Sequence, residues 1–190
     1  EVISGFRVAF SGAAEYYDIA PDIVSYGKII GGGLPVGAYG AKEHIMKSVS
    51  PDGPVYQAGT LSGNPVAMSA GIAQLSVCSQ KGFYEDQEER TKMMVDHINS
   101  HASEKGYDFE IFTVGSIFWL AFSDKDAIRR ADEIGSDMTP FKMLHKALLE
   151  RGVYVGPSGY EVGFVSLVHS EEILKEASEK FCDALDEIFA

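Results

Sequence analysis

Ser25-Tyr26-Gly27-Lys28-Ile29-Ile30-Gly31-Gly32-Gly33-Leu34-Pro35-Val36-Gly37 sets one lysine between a strand-like run and a cluster of glycines. Glycine permits positive φ and lets another body approach the backbone closely. A lysine in so crowded a turn gives up its proton readily once partly desolvated, and can then condense with an aldehyde. The pattern points to a Schiff-base lysine packed against a flat cofactor, with pyridoxal phosphate as the obvious group. An exposed lysine in a glycine-rich loop explains the same residues, and this stretch alone leaves both readings open.

Working outward, residues 19–26 read as a turn entering a β segment, and residues 34–41 as the next strand. A short helix is expected near 43–49. Residues 1–10 read as a strand end and the loop after it. Asn64-Pro65 is an N-cap followed by a first-turn proline, so residues 66–77 should form a buried helix. Its small residues Ala67, Ser69, Ala70, Gly71 and Ala73 would permit close packing. A second, more charged helix is expected over 83–105.

Composition then shifts. Residues 109–114 and 117–122 look like two strands joined near Gly115-Ser116. Residues 124–135 are polar and carry no clear pattern. Thr139-Pro140 repeats the cap-plus-proline signal for a helix stopped by Gly152. Short strands are expected at 153–155 and 163–168. A final helix opens at Ser170, with the stripe Leu174, Ala177, Phe181, Leu185 and Ile188. The mixture indicates α/β or α+β architecture. The division expected is 1–80 as part of a larger α/β domain, 81–106 as a linking helix region, and 107–190 as a small α+β domain.

The formal net charge of −12 argues against nucleic acid or an anionic membrane as general partners. It leaves room for an anionic ligand, because backbone amides alone can cradle a phosphate. No apolar run approaches the ~20 residues of a membrane helix. Cys78 and Cys182 are far apart and suggest neither a metal site nor a disulfide framework, which fits a reducing cytosol. His97 and His101 have i, i+4 spacing but no H-E-x-x-H context, so both read as exposed helix residues rather than metal ligands. His44, His145 and His169 have no evident chemical partner, and Trp119 reads as core. No metal site is expected.

A second chemical stretch is Tyr56-Gln57-Ala58-Gly59-Thr60-Leu61-Ser62-Gly63-Asn64-Pro65. Its small residues leave room for an anion. The Thr60 hydroxyl and nearby amides can donate to phosphate, and the following helix start adds a favourable dipole. It is not a P-loop, since no G-x-x-x-x-G-K-[ST] pattern exists.

The segment from Gly27 to Ala38 resembles the lysine segment of class III pyridoxal-phosphate aminotransferases. The stretch 56–65 and Gly156-Pro157-Ser158-Gly159-Tyr160-Glu161-Val162-Gly163-Phe164 narrow the resemblance to that family's aminomutase branch. It spans essentially the whole chain. The fold it implies is the pyridoxal-phosphate-dependent transferase fold type I, as the end of the large domain plus a small α+β C-terminal domain. Lys28 is then the catalytic residue, joined to the cofactor and carrying protons between cofactor and substrate. Gly59 and Thr60 bind cofactor, with Thr60 reaching the phosphate of a neighbouring subunit, which implies a homodimer. Glu161 binds the amino groups of a small amino-aldehyde substrate. Amino exchange within one substrate, through pyridoxal and pyridoxamine phosphate, is the activity implied. The biological role is tetrapyrrole precursor synthesis, in the cytoplasm or, in a plant or alga, the plastid stroma. An ω-aminotransferase is the rival within the family, and a non-catalytic association fragment the rival outside it. The family's pyridine-binding aspartate would immediately precede Glu1-Val2, and its upstream phosphate loop and carboxylate-binding arginine have no counterpart among these residues. The 190 residues alone are therefore expected to be a fragment unable to sustain turnover.

Overall fold

The computed structural model describes residues 1–190 except Asp124 and Asp126, and divides into two compact units, Glu1–Tyr84 and Glu85–Ala190.

In the first unit, helix α1 (Ala13–Tyr16) is a single turn whose first amides, Ala13 and Ala14, donate to the Glu1 carboxylate at 2.9 and 2.8 Å. Residues 1–10 form turns rather than the expected strand end. Gly5 N–H donates to Glu1 O, and Arg7 and Val8 N–H both donate to Ser4 O, so these backbone groups are satisfied locally.

Strands β1 (Ile23–Tyr26) and β2 (Ala38–Ala41) pair antiparallel, with Ile23 opposite Ala41 and Tyr26 opposite Ala38. The glycine-rich stretch is the connection between them. Helix α2 (Glu43–Met46) follows, then α3 (Pro65–Cys78). The Asn64 side chain caps α3 by accepting from Val66 and Ala67 N–H at 3.1 and 3.2 Å. Ala67, Gly71 and Cys78 are its buried residues, so the face turned inward is a stripe of small side chains. Val66 and Ile72 lie exposed on the same helix.

In the second unit, helix α4 (Phe83–Lys105, from Glu85 onward) lies beside an antiparallel sheet of order β3-β4-β5. Its strands are β3 (Glu110–Val114), β4 (Ile117–Ala121) and β5 (Gly163–Phe164). β3 and β4 form a hairpin across Gly115-Ser116, where Gly115 has φ +54. Glycine suits the first central position of such a two-residue turn, where the chain needs positive φ. Asn99 of α4 exchanges two hydrogen bonds with Ile111, accepting its N–H at 2.8 Å and donating to its carbonyl at 2.9 Å. That satisfies backbone groups of an edge strand that would otherwise be open to pairing.

Helices α5 (Thr139–Glu150) and α6 (Glu171–Phe189) pack together. The core is built from Ile98 of α4, Leu144 and Leu148 of α5, and Phe181 and Leu185 of α6, all essentially inaccessible, against Ile111, Phe118 and Leu120 of the sheet.

Several expectations need correction. Residues 153–155 form no strand. Val153 N–H is spent on Leu148 O at the end of α5, while Val153 and Val155 still pack on the core. Their apolar character serves burial without a ladder. The strand at 163–168 shrinks to Gly163–Phe164. Beyond it, Val165 N–H reaches Ser116 O and the chain turns, with His169 N–H on Ser166 O. Thr139 is not the cap of α5. The N-cap is Met138, whose side chain makes no capping hydrogen bond, while Thr139 N–H donates to Asp137 Oδ1 at 2.9 Å. In the stretch 124–135, Ala131–Glu133 form a 3₁₀ turn. Asp124 and Asp126 lie outside the described residues.

Candidate active site

Lys28 opens a 3₁₀ turn, Lys28–Gly31, directly after β1. Its φ is +52, in the left-handed region that non-glycine residues seldom adopt. Such a conformation costs about 1–3 kcal/mol and persists only where its surroundings enforce it. Helix α3 does the enforcing. A Cβ on Gly32 would stand 2.4 Å from Ala70 O, and a Cβ on Gly71 would stand 2.5 Å from Ile30 O. The turn and the helix therefore meet backbone to backbone, through a glycine on each side. Gly32 N–H on Ile29 O and Leu34 N–H on Gly31 O, both 3.0 Å, close the turn.

The Lys28 side chain is exposed and borders a hollow of about 290 Å³ with Ile29, Gly32, Gly33, Leu34 and Gln74. Among the described residues its ammonium has no carboxylate partner. This unit fixes the backbone from which the side chain leaves but keeps the amine in solvent, so it does not itself supply the desolvation that activates a Schiff-base lysine.

Gly59 and Thr60 lie in an exposed loop before α3. The Ser62 hydroxyl leans over Gly59, where a Cβ would come within 2.8 Å of it. The Thr60 hydroxyl has no hydrogen-bond partner among the described residues. The loop amides do not all remain available to an anion: Ser62 N–H is spent on Gly59 O, and Asn64 N–H on Leu61 O. Val66 and Ala67 N–H are occupied by Asn64, so the start of α3 offers its dipole more than its donors. Thr60 does not line the Lys28 hollow. Gly59 and Ser62 face a second hollow, with Pro35, Val36, Gly37 and Ile72, that does not include Lys28.

Glu161 belongs to the second unit, in the loop between α5 and β5. Its side chain is exposed and folds back over Gly156, where a Cβ would come within 2.3 Å of Oε2. Among the described residues its carboxylate has no hydrogen-bond or ion-pair partner. Trp119, expected only as core, is half-buried and donates its indole N–H to Gly159 O at 2.8 Å.

His101 corrects another expectation. Unlike His97 it is half-buried, and its Nε2 lies 2.8 Å from Asp186 Oδ1, which also accepts from Tyr107 Oη at 2.9 Å. Hydrogen bonds from His101 and then Tyr107 hold the Asp186 carboxyl below the ordinary range. The partner lies 85 residues away in sequence, so no local signal could have shown it. Cys78 and Cys182 are both buried, and burial, with Asp186 and Asp183 nearby, pushes the Cys182 thiol up to about 11. That is the state of an inert thiol. No group of three potential metal ligands occurs among the described residues, and no helix among them is long and apolar enough to cross a membrane.

The sequence profile of the family described as Aminotransferase class-III matches residues 1–189. This chain belongs to the class III aminotransferase family. Within it, the chain is 50% identical over 187 residues to a protein of Leptospira biflexa serovar Patoc (strain Patoc 1 / Ames) named glutamate-1-semialdehyde 2,1-aminomutase. That match covers 97% of this chain and 44% of the relative, so the chain spans less than half the length of the curated relatives it matches. Among solved structures, an omega-transaminase from Sphaerobacter thermophilus superposes with a TM-score of 0.86 at 25% identity, covering 100% of this chain and 43% of that one. A transaminase solved with PLP bound gives 0.85 at 28% identity, covering 99% and 43%. A glutamate-1-semialdehyde-aminomutase from Pseudomonas aeruginosa PAO1 gives 0.83 at 19% identity, covering 99% and 44%, and at that identity shows the fold. The fold is that of the class III transaminases.

Proposed function

We propose that the protein carrying this chain converts glutamate-1-semialdehyde to 5-aminolevulinate by amino exchange within one substrate, using pyridoxal phosphate and its pyridoxamine form. The 50% identity over nearly the whole chain to proteins named for that aminomutase carries the reading. The residues present fit the cofactor as far as this chain extends. A lysine stands at a left-handed backbone position, beside a hollow bounded by two glycines.

When bound, the cofactor's conjugated ring stabilises the electron pair left on a substrate carbon after proton removal. Lys28 Nζ would hold the cofactor and, when free of it, would move the proton between substrate carbons. The glycine contact with α3 holds the backbone turn that carries Lys28. The Thr60 hydroxyl, exposed and without a hydrogen-bond partner among the described residues, would donate to the cofactor phosphate of a neighbouring copy. The Glu161 carboxylate, unpaired within its unit, binds a substrate amino group. A homodimer, a place in tetrapyrrole precursor synthesis and a cytoplasmic or plastid setting belong to the same reading.

A second reading is supported by the omega-transaminase likeness: an ω-aminotransferase that passes its amino group to a separate keto acid. Incubating the polypeptide that carries this chain with pyridoxamine phosphate and glutamate-1-semialdehyde, without any keto acid, separates the two. Sustained 5-aminolevulinate formation is expected. An absolute requirement for a keto acid would overturn the mutase reading in favour of the transferase.

A further inference from the structure

The loop that carries Glu161 is held in a way that sequence periodicity does not reveal. Gly159 is buried, and a Cβ there would come within 2.6 Å of Met138 Sδ and 3.1 Å of Phe141 Cγ. The loop is seated against Met138 and Phe141 at the start of α5, closely enough that a side chain there would displace the methionine. Directly above that seat, Trp119 of β4 reaches out of the sheet and donates its indole N–H to Gly159 O at 2.8 Å. The indole is itself fixed by stacking on its cross-strand neighbour Phe112, with centroids 6.0 Å apart and planes 23° apart. Two residues past the seat, Glu161 N–H closes a turn on Ser158 O at 3.0 Å, and Tyr160 N–H bonds Ser158 Oγ at 3.3 Å. The Glu161 side chain then lies over the bare Cα of Gly156.

We propose that Trp119 is a positioning residue, which acts through Gly159 to fix the turn presenting the Glu161 carboxylate, and that Gly156 sets the side chain's direction. The role of Glu161 toward a substrate amine rests on the reading given above. The clamp itself does not. The sheet is tied by its strand ladders, whereas the loop has only its local turn bonds and the indole contact. A donor on the sheet, aimed at the loop's one buried residue, transmits the sheet's position to a carboxylate two residues away. Without it, the turn keeps its local hydrogen bonds but loses its tie to β4. Catalytic and binding groups held by such second contacts lose precision, rather than the fold, when the contact goes.

Two substitutions separate the hydrogen bond from packing. Trp119→Phe keeps an aromatic ring against Phe112 and removes the N–H. Benzothienylalanine at position 119 keeps the whole bicyclic shape and also removes it. Amide exchange at Tyr160 and Glu161 should quicken about 3- to 10-fold in both, the factor carried by one neutral hydrogen bond. Core amides such as Ile98 should be unmoved. Gly156→Ala should abolish the nuclear Overhauser contact between the Glu161 side chain and residue 156 while leaving Tyr160 exchange unchanged. In the cofactor-loaded enzyme, Trp119→Phe and Glu161→Gln should raise KM for the amino-aldehyde in parallel, with attachment of the cofactor at Lys28 unaltered. Unchanged exchange at Tyr160 and Glu161 in the benzothienyl protein would overturn the clamp. Altered exchange together with an unaffected KM in Glu161→Gln would confirm the clamp and overturn the role given to Glu161.

Discussion

Replacing Gly71 by alanine tests how the Lys28 turn is held. On an open helix this change is favourable, because glycine in a helix interior costs about 0.8–1.0 kcal/mol relative to alanine. Here the new methyl would lie 2.5 Å from Ile30 O, about 0.9 Å short of ordinary contact. The obstacle is backbone, not the end of a pliable side chain, and Gly32 already abuts Ala70 O from the other direction. The turn and α3 must therefore part. Overpacking of this kind costs about 1–3 kcal/mol, which exceeds the gain in helix propensity. At the middle of that range a net loss of about 1 kcal/mol is expected, or roughly 5-fold in the folded ratio. Urea unfolding gives the global effect, and native-state hydrogen exchange at Gly32 and Leu34, whose amides close the Lys28 turn, gives the local one. Both should weaken. Ser76→Ala, on the exposed side of the same helix, is the control and should be neutral or slightly stabilising. A Gly71→Ala protein stabilised by about 1 kcal/mol, with unchanged protection in the turn, would refute the backbone contact and the account of how the Lys28 turn is held.

Two other predictions concern the second unit. A Cβ at Gly163 would lie 2.1 Å from the Phe118 ring, which is buried against the core, so Gly163→Ala should lower stability by about 1–3 kcal/mol in urea unfolding. A neutral result would mean that the ring is free to move. Asp186 is held low by His101 and Tyr107. A carboxyl with a depressed folded-state value adds stability above its unfolded value, near pH 4, and that stability is lost as pH falls through the folded value. Thermal melts from pH 6 down to pH 2 should show a shallower acid decline for Asp186→Asn than for the unaltered protein. Superimposable declines would remove the linkage.

Much of this arrangement is legible in the sequence where its cause is local. Asn64-Pro65 announces α3 because cap and first-turn chemistry act within four residues. Lys28 stands out because only glycines can line so close a contact. Ser170 starts α6, and Gly115 turns the β3–β4 hairpin, for the same kind of reason. What escapes is set by partners distant in the chain. An apolar triplet such as Val153 to Val155 looks like a strand, but burial and ladder formation are separate requirements and only the first is met. His101 looks exposed until Asp186 folds against it. Trp119 looks like filling for the core until Gly159 brings its carbonyl to the indole. The turns over 1–10 were hidden because their composition suits a strand, while the local hydrogen bonds that win depend on geometry.

The most direct test of the central claim is covalent trapping. The polypeptide carrying this chain would be mixed with pyridoxal phosphate, reduced with borohydride and mapped by peptide mass spectrometry. A single adduct at Lys28, abolished in Lys28→Ala, is the expected result. An adduct elsewhere with Lys28 unmodified would contradict the assignment of the catalytic residue.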